Sequence, residues 1–276
     1  MDWHTFGHEK NKNLLEKQLA AGSLSHAYLF SGSKGLGKKT LALEFAKRIL
    51  GTENLGNHPD FQILDAEGEI GIESAREFMD RLSLKPFVAK KKVAVIDGAE
   101  NLNLHTGNAL LKTLEEPSSS TVIILVASGR LLPTIVSRCQ CLHFYCFNRP
   151  RLMEFAKSLG FDADREILDL SFGSPAELAR LLKIPAYLQT RTDSMARFSA
   201  LKSATPGQRL SAIGLLAESE TAELRGRLAE WLKFQVLDLK SRPAGFLKAR
   251  ALMEALSALD MNKNKKLVLQ TLIFKI

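Results

Sequence analysis

The stretch YLFSGSKGLGKKT, residues 28–40, places an apolar segment, a glycine-rich loop and the start of a helix in direct succession. Its spacing is G-x-x-x-x-G-K, with glycines at Gly32, Gly35 and Gly37 and the lysine at Lys38. Glycines let backbone N–H groups close around phosphate oxygens at a helix N-terminus, and the lysine reaches the β- and γ-phosphates. The spacing predicts a phosphate-binding loop between a strand and a helix; a plain glycine-rich turn is the alternative.

The residue after Lys38 departs from the pattern that supports catalysis. Ser or Thr normally stands there and ligates Mg²⁺, whereas this chain has Lys39, whose ammonium cannot bind a cation. Thr40 comes one residue later, and one residue rotates a helical side chain by about 100°. The loop therefore indicates phosphate-loop ancestry more strongly than it indicates hydrolysis.

The stretch KKVAVIDGAEN, residues 91–101, ends an apolar run with Asp97. In nucleotide-hydrolysing proteins a carboxylate at this position holds Mg²⁺. The glutamate that often follows it and polarises the attacking water is replaced here by Gly98. Glu100 lies two positions further, and we expect it to point elsewhere. A turn or cap at the end of a strand is the alternative role for Asp97.

Apolar runs of strand length recur in the first half of the chain, at residues 26–32, 60–66, 92–99, 121–128 and 141–147. Amphipathic stretches of helix length lie between them, at residues 38–50, 73–82 and 104–115. Apolar strands that alternate with helices predict a parallel sheet covered on both faces, in a three-layer α/β domain. After residue 148 the strand pattern stops, and helical segments punctuated by Gly and Pro follow.

The composition is that of an ordinary protein of two or three small domains, with 276 residues, 45% hydrophobic and 25% charged. Its apolar runs are too short to cross a bilayer, and its start has no secretory signal pattern, so we expect a cytoplasmic protein without a membrane partner. The net charge of +8 is uneven: residues 1–147 hold 17 Lys and Arg against 16 Asp and Glu, and residues 148–276 hold 21 against 14. Such a surplus suits an acidic partner such as nucleic acid, or simply solvated helix faces.

All three cysteines fall in one short stretch, SRCQCLHFYC, as Cys139, Cys141 and Cys146. Alternation along a strand would place Cys139 and Cys141 on one face. A structural zinc site needs four ligands, and His143 does not complete one with defined spacing. We expect buried free thiols, without a disulfide and without a metal.

Six stretches in this order carry a resemblance: LSHAYLFSGSKGLGKKT, NHPDFQIL, LSLKPFVAKKKVAVIDGAENLN, GNALLKTLEEP, LLPTIVSRCQ and GSPAELARLL. Together they resemble the AAA+ subunits of bacterial clamp loaders, in particular the delta-prime type of DNA polymerase III. The resemblance is dense over residues 6–182 and weaker beyond. It implies an AAA+ P-loop module over residues 1–147, a small helical lid over 148–186 and an all-α collar over 187–276 that serves oligomerisation.

The resemblance also implies a function. In this family a hetero-pentamer with gamma/tau and delta subunits loads a sliding clamp onto primer–template DNA, driven by ATP bound between motor subunits. The delta-prime type is a rigid stator that lacks its own ATPase and offers an arginine finger to the nucleotide site of its neighbour. The arginine of the Ser-Arg-Cys motif is Arg138 here. A guanidinium can stabilise the charge of a transferring phosphoryl group across an interface.

The chain differs from the motor subunits of the family at three positions that all serve ATP hydrolysis. Lys39 replaces the hydroxyl residue, Gly98 replaces the glutamate, and Ala176 stands where the lid turn of motors carries a phosphate-contacting arginine. Since removing one charge-stabilising group costs about 10²–10³ in rate, we expect no hydrolysis at this site. Residual binding of ATP, ADP or phosphate stays open for the degenerate site formed by Gly32, Gly35, Gly37, Lys38, Lys39, Thr40 and Asp97.

Other parts of the family pattern are altered or ambiguous. Residues 48–60 lack the four-cysteine module that members often carry, so no zinc is expected. Ser128 is an uncertain counterpart of the polar sensor residue. Lys90–Lys92 and Lys112 are available for DNA, although AKKK beside a strand is also typical of a solvated turn. The alternatives to a stator are an ATP-hydrolysing motor subunit of the gamma/tau type and another AAA+ ATPase.

Overall fold

The computed structural model describes residues 3–65, 72–102, 104–239, 246–261, 263–273 and 275. The chain forms two compact units. Unit 1 consists of the residues up to Arg151 together with Ser174–Ala176, and unit 2 consists of Leu152–Gly173 and the residues from Glu177 onward. The sequence-based division at residues 147 and 186 stays a prediction.

Unit 1 is built on a five-stranded parallel sheet. Its strands are β1 (Ala27–Ser31), β2 (Phe61–Asp65), β3 (Lys92–Asp97), β4 (Thr121–Ala127) and β5 (Gln140–His143). Their spatial order is β2-β3-β4-β1-β5, and each neighbouring pair is parallel. The carboxyl ends of all five strands therefore lie at one edge of the sheet.

Alternating side chains of the central strands pack into two separate cores, because successive residues of a strand point to opposite faces. In β1, Tyr28 and Phe30 belong to the first core, whereas Ala27 and Leu29 belong to the second. The first core is closed by α1 (Glu9–Ala21) and α2 (Lys38–Leu50), and the second by α3 (Ile72–Ser83), α4 (Leu104–Glu115) and α5 (Pro133–Val136). This is the predicted three-layer α/β arrangement.

Unit 2 is helical throughout its described regular elements. It begins within α6 (Arg149–Ser158). Its further helices are α7 (Arg165–Leu170), most of α8 (Pro175–Lys183), α9 (Pro185–Ser203), α10 (Pro206–Glu218), α11 (Thr221–Leu239), α12 (Phe246–Asp260) and α13 (Lys265–Ile273). Proline opens α9 and α10, where its fixed φ suits the first helical turn. The core includes Phe198 stacked on Trp231, with ring centroids 5.3 Å apart.

A half-buried ionic cluster joins three helices of unit 2. Arg191 of α9 places Nη2 2.9 Å from Oε1 of Glu177, and its Nη1 contacts Oε1 of Glu230. The Tyr187 hydroxyl donates to the same Glu177 oxygen at 2.7 Å. Since the Arg191 side chain is only 12% exposed, solvent screens these charges weakly.

The sequence prediction of the strands and of the helical C-terminal half is confirmed. Helix α1 was not predicted, because only Leu15 among its residues is fully buried and its apolar stripe is narrow. None of the described helices is long and apolar enough to span a membrane.

The cysteine prediction is confirmed in part. Cys139 and Cys141 both pack against the second core, as strand alternation predicted, and burial raises the pKa of Cys139 to about 12. Cys146 is exposed, so the expectation of burial is wrong for that residue, which lies beyond the end of β5. All three are free thiols.

Replacing Arg191 by Met should destabilise unit 2 by about 3–5 kcal/mol, because it leaves Glu177 and Glu230 facing each other without their cation. Urea unfolding followed by Trp231 fluorescence measures this; the Trp3→Phe background removes the other tryptophan. Arg197→Met on the exposed side of the same helix is the matched control and should change stability by no more than about 0.5 kcal/mol. Equal effects of both substitutions would contradict a structural role for the cluster.

Candidate functional site: a closed phosphate-loop cleft

A cleft of about 280 Å³ lies at the carboxyl ends of β1, β3 and β4. Its described lining comes from four segments: Lys34, Gly35, Gly37, Lys38, Lys39 and Thr40; Asp97, Gly98, Glu100 and Asn101; Val126 and Ser128; and Ala176. The structure thus brings together the predicted loop residues and Asp97, and Gly32 joins them through its carbonyl oxygen, which contacts Lys38.

The glycines of the loop are required by the backbone itself. Gly32, Gly35 and Gly37 all have positive φ, at 147°, 77° and 86°. A Cβ on Gly32 would lie 2.3 Å from the Phe144 carbonyl oxygen, and one on Gly35 would lie 2.3 Å from Oγ of Ser174. The loop can therefore be built only with glycine at these two positions.

Lys38 is buried and is held by its own loop. Its side chain crosses the loop, and Nζ donates to the carbonyl oxygens of Gly32 and Ser33 at 2.6 Å each and to Oγ of Ser128 at 3.0 Å. Burial lowers the pKa of Lys38, while the nearby carboxylates of Glu100 and Asp97 oppose that shift. Its three ammonium hydrogens thus have acceptors within the protein, and Ser128, the uncertain sensor position, is one of them.

Lys39 bridges two carboxylates at the edge of the cleft. Its Nζ lies 2.9 Å from Oδ2 of Asp97 and 2.9 Å from Oδ2 of Asp65. The hydrogen bonds to Asp97 and Asp65 raise the pKa of Lys39 above its ordinary value. Asp65 and Asp97 are directly paired in the register of β2 and β3, which is why one ammonium reaches both.

This arrangement does not fit the Mg²⁺ ion with which such loops ordinarily work. Its protein ligands would be a hydroxyl at the position of Lys39 and the carboxylate of Asp97. The first position carries a cation, and the second already accepts a hydrogen bond from that cation. Thr40, the nearest hydroxyl in sequence, is exposed.

The expectation for Glu100 is wrong. Gly98 has a φ of 75°, and a turn of 3-10 helix over Ala99–Asn101 follows it. This reversal brings Glu100 back to line the cleft near Lys38. Its Oε2 is buried, and no hydrogen-bond donor reaches that atom from the described part of the chain.

Arg138 lies apart from the residues that line this cleft. It follows α5, and its Nη2 is 2.7 Å from Oε1 of Glu115, the last residue of α4. Its Nη1 donates to the Thr134 carbonyl oxygen at 2.9 Å. Its side chain is 35% exposed and is therefore partly accessible to solvent.

The N-terminal segment covers the phosphate loop through His8. His8 adopts a left-handed backbone conformation, and its Nε2 lies 2.8 Å from the Leu36 carbonyl oxygen, to which it donates. Its ring packs against Phe144 and Phe147. Burial lowers the pKa of His8, and the positive charge of Lys12 adds to that shift, although the bond to Leu36 opposes it.

A protein family described as "DNA polymerase III, delta subunit" matches residues 7–148, just over half of the chain. The chain belongs to this DNA polymerase III family. The matched segment contains the whole sheet, the glycine loop, Asp97 and Arg138, so family membership rests on the segment that builds the cleft.

Curated relatives of this chain agree with the family match. The delta' subunit of Pseudomonas aeruginosa is 34% identical over 57% of this chain and 56% of its own length. The delta' subunit of Bacillus subtilis is 35% identical over 48% of this chain and 45% of its own length. The tau/gamma subunit of Haemophilus influenzae is 33% identical over 54% of this chain and 24% of its own. The matches thus span from about a quarter to just over half of these relatives.

A solved structure shows the same fold over nearly the whole chain. A gamma subunit-related protein of DNA polymerase III from Thermotoga maritima superposes with a TM-score of 0.51 and 18% identity. The superposition covers 94% of this chain and 97% of that one. The α/β fold with a helical C-terminal part is thereby confirmed.

The burial of the His8 ring against the phosphate loop should become less favourable in mild acid, because burial disfavours the protonated ring. Because the folded pKa of His8 lies below its unfolded value of about 6.5, its contribution to stability is present above that value and is lost as pH falls through the folded pKa. Hydrogen exchange of residues 32–41, corrected for intrinsic rates, should show less protection at pH 5.5 than at pH 7.5. His8→Gln should reduce this difference, and His4→Gln, at an exposed histidine, should preserve it.

Proposed function

We propose that the chain is a non-hydrolysing stator subunit of the clamp loader of DNA polymerase III. Membership of the DNA polymerase III family and the similarity to relatives named delta' support the clamp-loader part of this proposal. The observation that carries the stator role is the 2.9 Å contact between Nζ of Lys39 and Oδ2 of Asp97. A carboxylate paired with an ammonium cannot recruit the metal that phosphoryl transfer requires.

Two further features support the absence of hydrolysis. Gly98 follows Asp97, so no side chain directly after β3 can polarise an attacking water. Ala176 lines the cleft where a motor would present an arginine, and its backbone N–H donates to the Gly35 carbonyl oxygen at 3.1 Å. The Ser174 hydroxyl of the same turn donates to that oxygen at 3.1 Å as well, so these contacts between the turn and the loop bring no charge for a phosphate.

We further propose that Arg138 acts in trans, on the nucleotide bound by a neighbouring subunit. Glu115 holds it in one orientation, but an ion pair that is 35% and 50% exposed on its two sides is weak, of the order of 0–1 kcal/mol. A phosphate of higher charge can therefore take the guanidinium from Glu115 at little cost. The partly exposed position of Arg138, outside the chain's own cleft, supports this role.

The proposed assembly is a cytoplasmic hetero-pentamer with gamma/tau and delta subunits that loads a sliding clamp onto primer–template DNA. In the structure, fewer lysines of the AKKK stretch are available to contact the DNA backbone. Lys92 is buried and donates to the Arg81 carbonyl oxygen, and Lys91 donates to that of Ser119. Lys90 and Lys112 stay exposed and are the better candidates in unit 1.

The purified chain should show no ATP turnover above background, since Lys39 occupies the carboxylate that would ligate the metal and Gly98 stands where a motor carries its glutamate. Steady-state phosphate release with MgATP measures this, with a gamma/tau motor subunit as positive control. Lys38→Ala should leave the background unchanged. Turnover at the rate of the motor, abolished by Lys38→Ala, would instead support the ATP-hydrolysing alternative.

Arg138→Ala should reduce hydrolysis at the neighbouring site by about 10³-fold or more, the contribution typical of an arginine finger. Single-turnover ATP hydrolysis in the complex reconstituted with partner subunits, clamp and DNA measures this. Native mass spectrometry must show that the variant still assembles. Arg130→Ala, which removes an exposed arginine eight residues earlier, is the matched control and should leave the rate unchanged; an unchanged rate for Arg138→Ala would exclude the trans role.

A further inference from the structure

The position of the Lys39 ammonium has a chemical consequence for the cleft. It lies at the same distance, 2.9 Å, from one oxygen of Asp97 and one of Asp65. These aspartates end two neighbouring strands in direct register, whereas Lys39 belongs to the first turn of α2. One ammonium therefore connects the start of the loop helix to two strand ends of the sheet.

A divalent cation bound by a phosphate loop makes the same type of connection. The cation is ligated by a hydroxyl of the first helical turn and by a carboxylate at the end of a neighbouring strand, and so it links the two elements. Mg²⁺ also demands about six oxygen ligands at 2.0–2.1 Å in near-octahedral geometry. Here the helical ligand is itself a cation, so Mg²⁺ near Asp97 would meet a positive charge at contact distance.

The charges of the cleft are consistent with a cation that is always present. Asp97, whose side chain is 15% exposed, is the less solvated of the two carboxylates and gains most from a fixed counter-charge. Lys38 donates to Gly32, Ser33 and Ser128 rather than to Asp97. The bridge to Asp97 is therefore made by Lys39.

We propose that Lys39 is a built-in substitute for the divalent cation, which ties α2 to β2 and β3 and excludes Mg²⁺ from Asp97. A polyphosphate that enters the cleft must then do so without a metal bound at this position. The inference deepens the proposed stator function and rests on it for its biological meaning. Metal binding is measured without ATP turnover and without partner subunits, so a failure of metal exclusion is distinguished from a failure of the stator function, which ATP turnover measures.

The test is a titration of the full chain with Mn²⁺, a paramagnetic substitute for Mg²⁺, read by the electron paramagnetic resonance signal of the free ion. Wild type should bind no Mn²⁺ at Asp97, so that Asp97→Asn leaves its titration unchanged. Lys39→Thr, which restores the hydroxyl, should gain a site at least tenfold tighter than any in wild type. Added Mg²⁺ should compete for that site, and the double variant Lys39→Thr/Asp97→Asn should lose it.

Two controls test whether the effect depends on the positive charge at position 39 or only on the total positive charge of the loop. Lys34→Met removes an exposed lysine from the same loop and should gain no site, whereas Lys39→Arg keeps a cation and should behave as wild type. Lys39→Met removes the charge without adding a ligand; millimolar Mg²⁺ should raise its melting temperature and not that of wild type.

Two results would overturn the proposal. The first is Mn²⁺ binding by wild type that Asp97→Asn abolishes, since the ammonium would then not exclude the metal. The second is the absence of any metal response in both Lys39→Thr and Lys39→Met, since the exclusion would then not depend on Lys39. If Lys39→Thr does not fold, the melting of Lys39→Met with and without Mg²⁺ decides.

Discussion

The burial of β1, β3 and β4 on both faces determines where polar chemistry can stand in unit 1. Their side chains alternate between two apolar cores, so functional groups are confined to the strand ends. The parallel arrangement then gathers those ends at one edge, the usual location of ligand sites in α/β sheets. Asp65, Asp97 and Ser128 meet there because of strand order and register.

At that edge the protein supplies acceptors for both lysines of the loop. Lys38 is satisfied by two loop carbonyl oxygens and Ser128, and Lys39 by Asp97 and Asp65. In a hydrolysing site these groups would be completed by phosphate and metal, so that the conformation responds to the nucleotide. Because both lysines already have acceptors within the protein, the cleft gains less from such a ligand.

Much of the fold could be predicted, because strand and helix patterns are local and the glycine loop has a fixed spacing. What sequence reasoning missed depends on contacts between distant segments. Asp65 was not recognised as a partner of Lys39, although it ends its strand as Asp97 does, because strand order and register are not local. Glu100 was misplaced because the positive φ of Gly98 reverses the chain. The contact of Arg138 with Glu115 joins two segments more than twenty residues apart.

The glycines of the loop are weaker evidence for ATP hydrolysis than their spacing suggests. A Cβ on Gly32 would collide with the Phe144 carbonyl oxygen, and one on Gly35 with Ser174, whether or not a phosphate is present. Packing and backbone conformation therefore require these glycines even in a site that never hydrolyses ATP. The stator proposal rests instead on the positions whose side chains would touch metal, water or phosphate in a hydrolysing site. In this chain they are Lys39, Gly98 and Ala176, and of these Lys39 alone puts a charge of its own in the place of the missing group.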